Sequence, residues 1–213
     1  MREAVLARYN KQLVALRFYL MGRGYHTAAR ALEYARRHHA GVRKDGFTPE
    51  FAHQVEISLY LLTLRSVRDP EVLIAGALLH DVIEDYPVTR EALAEEFGAS
   101  IAGIVYTLSK KHDGKPLHGE HYFENIAACP VASIIKGGDR IHNVQTMGGV
   151  FSEDKQRHYL EEVRDHFLPM LKAARYRFTD QALAYFNVEH VLRSQYALLA
   201  AALGMPPLIA QNA

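Results

Sequence analysis

The segment Leu78–Tyr86, LLHDVIEDY, sets His80, Asp81, Glu84 and Asp85 directly after an apolar turn. Ionisable groups beside a buried run are costly unless they are paired or put to use. On a continuous helix Glu84 falls four residues after His80 and three after Asp81, and Asp85 falls four after Asp81, so all project from neighbouring positions. An imidazole nitrogen and a carboxylate oxygen can then bind a cation while the carboxylates one turn on stay free for proton transfer. That is the chemistry of a metal-activated water. A His-Asp pair alone reads as an ordinary half-exposed couple, with Glu84 and Asp85 as a solvated helix end. His53, in a predicted helix just after a basic loop, and Asp139, inside the charged interruption of SIIKGGDRIHNV, change that weighing. Either one alone is more often structural; with the His-Asp pair they describe a metal site.

His, then His-Asp, then Asp in successive helices resembles the signature of the HD superfamily of metal phosphohydrolases. HxxxxRKDG over 38–46, His53, ALLHDVIED over 77–85, FGASI over 97–101 and KGGDRIHN over 136–143 resemble the hydrolase domain of RelA/SpoT-type alarmone enzymes. The match covers residues 26–175. The resemblance implies removal of pyrophosphate from the 3′ position of guanosine tetra- and pentaphosphate, with manganese as the usual metal. It also implies His53, His80, Asp81 and Asp139 as metal ligands, and Glu84 and Asp85 as the acidic pair acting on the nucleophilic water. Arg43 and Lys44 match basic residues at the rim, and Asn143 matches an asparagine near the nucleotide.

Physical chemistry agrees with these roles. Two His and two Asp suit manganese, while ligand type alone leaves zinc, iron or magnesium open. Arg43 and Lys44 offer a guanidinium fork and a point charge to a strongly anionic substrate, against the plainer reading of a solvated loop. Lys110 and Lys111 end a predicted helix, where cations complement the dipole as readily as they bind phosphate. His112, His118 and His121 read as solvent-exposed, and His142 as a packing residue or one that supports a ligand. TPEFAHQ over 48–54, Tyr86 after the Glu-Asp pair, and Gly137 and Gly138 depart from the family pattern. These departures are expected to bear on the base pocket, which leaves an adenosine alarmone or another nucleotide open.

Helices must position such a site, and helical signals dominate. Apolar residues recur at spacings of three and four through Leu6, Tyr9, Leu13, Leu16 and Leu20. Asp69 and Pro70 open a buried run that is read as one helix ending before Pro87. Other helices are predicted over 27–39, around His53, and over 89–97, 100–110, 122–128, 131–147, 153–175 and 180–203. RKDGFTP over 43–49 is read as a loop, and 111–120, rich in Gly, Lys and His, as the long one. The expected fold is all-α, an HD-type helical bundle in a single compact domain. Residues 1–25 form an N-terminal helical extension, 26–178 the hydrolase domain, and 179–213 a C-terminal helix and tail packed on it.

Lys plus Arg number 25 against 24 Asp plus Glu, so no overall field draws in nucleic acid or an anionic membrane. No extended nucleic-acid surface and no membrane partner are expected, and an anionic nucleotide must be held locally. Cys129 is the only cysteine, which suits a reducing compartment and a cytoplasmic location. The N-terminus mixes charge with apolar residues and resembles neither a signal peptide nor a membrane span. The flanks outside the matched region are too short for a synthetase half, so a stand-alone hydrolase is expected, with the terminal helices completing the core or joining a homo-oligomer. Two other functions stay in view: an HD phosphohydrolase of another nucleotide such as (p)ppApp, and a non-catalytic nucleotide-binding HD protein.

Overall fold

The computed structural model describes residues 2–112, 114–117 and 119–208. It is almost wholly helical: α1 Arg2–Gly22, α2 His26–His38, α3 Ala52–Leu61, α4 Pro70–Leu79, α5 Val82–Asp85, α6 Arg90–Phe97, α7 Ala99–Leu108, α8 Tyr122–Ala127, α9 Pro130–Thr146, α10 Glu153–Glu162, α11 Leu168–Arg177 and α12 Ala182–Ala202. The all-α expectation holds. A two-residue antiparallel ladder, β1 Lys111–His112 with β2 Lys115–Pro116, lies inside the segment read as the long loop.

Local chemistry starts the helices where the sequence signals placed them. Asp69 accepts the Val72 N–H at 3.1 Å with Pro70 in the first turn of α4, and Thr89 accepts the Ala92 N–H at 3.1 Å to open α6. Helix α4 is buried on every side from Leu73 to Leu79, which is why its sequence carries no polar face. Helix α9 is the other central rod, buried from Val131 through His142, and α3, α4, α7, α8, α11 and α12 all pack on it. Outside them, α1 lays Leu16 and Leu20 against α2 and α3.

Two runs read as single helices are interrupted. The buried run does not continue to Tyr86; the chain turns at His80 and Asp81, between α4 and α5. There Nδ1 of His80 donates to the Ala77 carbonyl at 2.7 Å, so a side chain satisfies one of the carbonyls at the helix end. The reading over 153–175 is likewise divided, because Val163–Phe167 forms a π-helical turn in which the Leu168 N–H bonds to the Val163 carbonyl. Pro169 explains it: the ring has no N–H for the Asp165 carbonyl and crowds it, so the ladder shifts by one residue just upstream.

Candidate metal centre

His53 leaves the first turn of α3, His80 and Asp81 form the turn after α4, and Asp139 stands midway along α9. Because α3, α4 and α9 pack on one another, these residues meet beside a cavity of about 520 Å³. Nε2 of His53 lies 3.2 Å from Oδ1 of Asp139 and 3.9 Å from Oδ2 of Asp81. Nε2 of His80 lies 3.0 Å from Oδ2 of Asp81 and 3.9 Å from Oδ1 of Asp139. Donors held roughly 2.1 Å from a cation stand about 3.0 Å apart at right angles and about 3.4 Å apart in a tetrahedron. The observed separations span both values.

Buried Nε2 of His80 has no hydrogen-bond partner, since its close approach to Asp81 lacks hydrogen-bond geometry. An orphaned buried nitrogen costs on the order of 1–3 kcal/mol. Its Nδ1 already carries the proton donated to Ala77, so Nε2 is the nitrogen turned toward the two carboxylates, and its lone pair is open to a cation that displaces the proton held there. A divalent cation supplies what that lone pair lacks, and the residues present fit one. His53, His80 and Asp139 are the most deeply buried of the set, with one donor atom each lying within 4.8 Å of the others, while Asp81 stands at the more open side.

Electrostatics describe a site arranged for positive charge. Burial holds the His53 imidazole down to about 4. Burial also opposes a charged His80, yet the Asp81 and Asp139 carboxylates outweigh it and push His80 up to about 9. Burial would raise both aspartates; His80 keeps Asp81 below the usual carboxylate range, and Lys136 with His53 keeps Asp139 well below it. Asp139 divides its oxygens: Oδ1 faces the histidines and accepts Nδ2 of Asn143 at 2.6 Å, while Oδ2 meets Nζ of Lys136 at 3.1 Å.

Arg43, Lys44, Glu84, Asp85 and Asn143, singled out from the sequence, line the same cavity. Asp45 accepts the N–H groups of Phe47 and Thr48 at 3.0 and 2.9 Å and also the Thr48 hydroxyl, and Gly46 takes φ +79°, so RKDG folds into a tight turn. That turn presents Arg43 and Lys44 at the rim, with Nζ of Lys44 5.1 Å from the centre of the Phe151 ring. Glu84 and Asp85 face the cavity, with Glu84 Oε2 accepting the Lys110 N–H at 2.8 Å. Partial burial and the Asp81 and Glu84 carboxylates push the Asp85 carboxyl up to about 6. Lys110 also lines the cavity, and Asn143 touches the candidate ligand Asp139. His121 is exposed beside Glu124, whereas His118 lies outside the described residues.

The departures from the family pattern fall at helix contacts and beside Asp81. A Cβ on Gly137 would lie 2.5 Å from Cγ1 of Val188, and one on Gly138 3.1 Å from Cδ2 of Leu61, so both glycines serve helix packing. Gln54 and Tyr86 instead meet on one side of Asp81. Tyr86 Oη lies 3.2 Å from His39 Nδ1, Gln54 Nε2 lies 3.4 Å from His39 Nε2, and the same amide donates to Asp81 Oδ2 at 3.2 Å. Sequence reasoning missed His39, Gln54 and Lys136 as parts of this site. Lys136 was findable, since it precedes Asp139 by one helical turn; the contact of Gln54 with Asp81 crosses from α3 to the turn after α4 and leaves no local signal.

The HD domain family profile matches residues 31–176. Over 144 residues, 64% of the chain, it is 37% identical to a guanosine-3′,5′-bis(diphosphate) 3′-pyrophosphohydrolase of Haemophilus influenzae, covering 21% of that protein. Over 171 residues, 74% of the chain, it is 30% identical to a GTP pyrophosphokinase rsh of Brucella ovis, covering 22% of it. The chain thus spans about a fifth of the length of these curated relatives. A solved metazoan ortholog of SpoT, described as hydrolysing ppGpp with a role in starvation responses, shares the fold at a TM-score of 0.62 and 22% identity, over 79% of this chain and 95% of that one. With the profile spanning α3, the turn after α4 and α9, which carry His53, His80, Asp81 and Asp139, the chain belongs to the HD-domain family.

Proposed function

We propose that this chain is a metal-dependent (p)ppGpp 3′-pyrophosphohydrolase, with manganese as its ion. The observation that carries the reading is the meeting of His53, His80, Asp81 and Asp139 beside a cavity whose rim holds Arg43 and Lys44. Two of the relatives bear names for opposite reactions, one breaking and one making a pyrophosphate, so the names alone do not choose. The chemistry of the site favours hydrolysis, because metal ligands, an acidic pair and a cationic rim are what water attack on a phosphate needs.

His53, His80, Asp81 and Asp139 would hold a divalent ion, which would supply Lewis acidity toward phosphoryl oxygens and make a water more acidic. Arg43 and Lys44 bind the phosphates, the first through a fork and the second as a point charge. Asn143 holds Asp139 in place through its 2.6 Å hydrogen bond and faces the nucleotide. Glu84 and Asp85 take the proton of the attacking water. Water adds to the ribose-proximal phosphorus, the bond to the 3′ oxygen breaks, that oxygen takes up a proton, and pyrophosphate leaves.

The test is pyrophosphate release from guanosine and adenosine 3′-pyrophosphates, with and without manganese, using Asp81→Ala as the blank. Manganese-dependent release with a preference for guanosine supports the reading. Release from the adenosine compounds alone reassigns the base. Binding without release makes the chain a nucleotide sensor and overturns the enzymatic reading.

A further inference from the structure

His53 and His80 reach the metal centre by different supports. His80 has its Nδ1 proton fixed by a backbone carbonyl, whereas His53 has no such carbonyl: its Nδ1 lies 2.9 Å from Nδ1 of His142, ring against ring at 75°. Both rings are buried, and one proton lies between two nitrogens that can each donate or accept it. What decides its owner is on the far side of His142. There Nε2 lies 2.9 Å from Oε2 of Glu56, and Oε1 of Glu56 lies 2.9 Å from Nη2 of Arg8 on α1.

We infer that Glu56 and His142 are positioning residues that select the tautomer of His53, keeping its proton on Nδ1 and its Nε2 lone pair free for the metal. An ionised carboxylate only accepts, so His142 must carry its proton on Nε2. A neutral His142 then has only a lone pair at Nδ1, and His53 must donate from Nδ1. That leaves Nε2 of His53 bare, 3.2 Å from Asp139 Oδ1 and facing the other ligands. The opposite arrangement, with His53 donating from Nε2 to Asp139, would turn a lone pair of His142 onto the Glu56 carboxylate at 2.9 Å, two acceptors face to face. The hydrogen bond from His142 and the Arg8 guanidinium outweigh partial burial, which opposes them, and hold the Glu56 carboxyl below its ordinary range, so it stays an acceptor. A helix outside residues 31–176 thereby reaches the metal centre through a chain of contacts.

The inference rests on the metal-site reading, and its test separates the two. Full-length protein carrying ring-¹⁵N histidine is stripped of metal, and long-range ¹H–¹⁵N spectra assign each ring at slightly alkaline pH. Wild type is expected to show His53 protonated on Nδ1 and His142 on Nε2. A proton on Nε2 of His53 in wild type overturns the inference whether or not any variant folds. Glu56→Leu, which lacks an acceptor, is expected to move the His53 proton toward Nε2 and to weaken Mn²⁺ binding, read by the free-ion paramagnetic resonance signal, by about ten- to hundred-fold. Glu56→Gln, whose amide oxygen still accepts, is expected to restore both. An unshifted His53 tautomer in a folded Glu56→Leu protein also overturns the inference. Wild type with the stated tautomers but no Mn²⁺ affinity sinks the metal-site reading instead.

Discussion

A carboxyl pushed up to about 6, as at Asp85, sits half-protonated at a pH where Asp81 beside it is fully ionised. As a base Asp85 works only above that value, so its contribution is present at neutral pH and is lost as pH falls through its titration. A divalent cation next to Asp81 favours the charged form and draws the titration down. Carboxyl carbon NMR of the metal-free protein is therefore expected to place Asp85 near 6, and Mn²⁺ to move it lower; an upward move would remove the cation from its surroundings. At Glu84 the choice of variant matters, because its Oε2 accepts the Lys110 N–H at the start of the β1–β2 segment. Glu84→Gln can keep an acceptor there and loses the base, so it is expected to bind Mn²⁺ normally and to turn over at least about a hundred-fold slower, the typical size of an acid–base contribution. Asp81→Ala is expected to lose the metal itself, and turnover preserved in Glu84→Gln refutes its role. The candidate ligands and their order are legible in the sequence because each sits in its own short motif. The supporting contacts of Gln54, His39 and Lys136 were not, since they depend on which helix faces which.

Element boundaries followed the chain where one residue decides them and failed where packing decides. Asp69 and Thr89 announce their helices by capping them. The turn at His80 is written in no breaker residue; it follows from a side chain bonding the Ala77 carbonyl while the next residue turns into the site. Counting four residues from His80 to Glu84 assumes an uninterrupted helix, and Asp81, Glu84 and Asp85 still face one cavity because α5 restarts at once after the turn. Gly137, one of the departures from the family pattern, lies where α9 meets α12. Alanine there gains up to about 1 kcal/mol of helix propensity. Its Cβ, however, would lie 2.5 Å from Cγ1 of Val188 and 3.2 Å from Cδ2 of Leu171, and overpacking of this kind costs about 1–3 kcal/mol. Gly137→Ala is expected to destabilise by about 1–2 kcal/mol in denaturant melts, and Val188→Ala in the same chain to recover part of that loss. Additive losses in the double variant would mean that the two helices do not meet there.

At the scale of the whole molecule, a metal ion would join α3, the turn after α4, and α9, segments that come together only in the folded chain. Among the described residues no helix is long and apolar enough to cross a membrane. An ion that binds the folded state alone stabilises it by about 2.7 kcal/mol when its free concentration is a hundred times Kd. In a domain of this size each kcal/mol moves Tm by about 2–4 °C, so saturating Mn²⁺ is expected to raise Tm by about 5–10 °C and a chelator to reverse it. Asp81→Ala provides the control, since it removes one proposed ligand from the more open side of the site and leaves the helix packing intact. Its Tm is expected to be indifferent to Mn²⁺. A wild-type Tm that ignores the ion, or an equal rise in Asp81→Ala, would mean that these donors meet without forming a metal site, and the orphaned Nε2 of His80 would then need another partner.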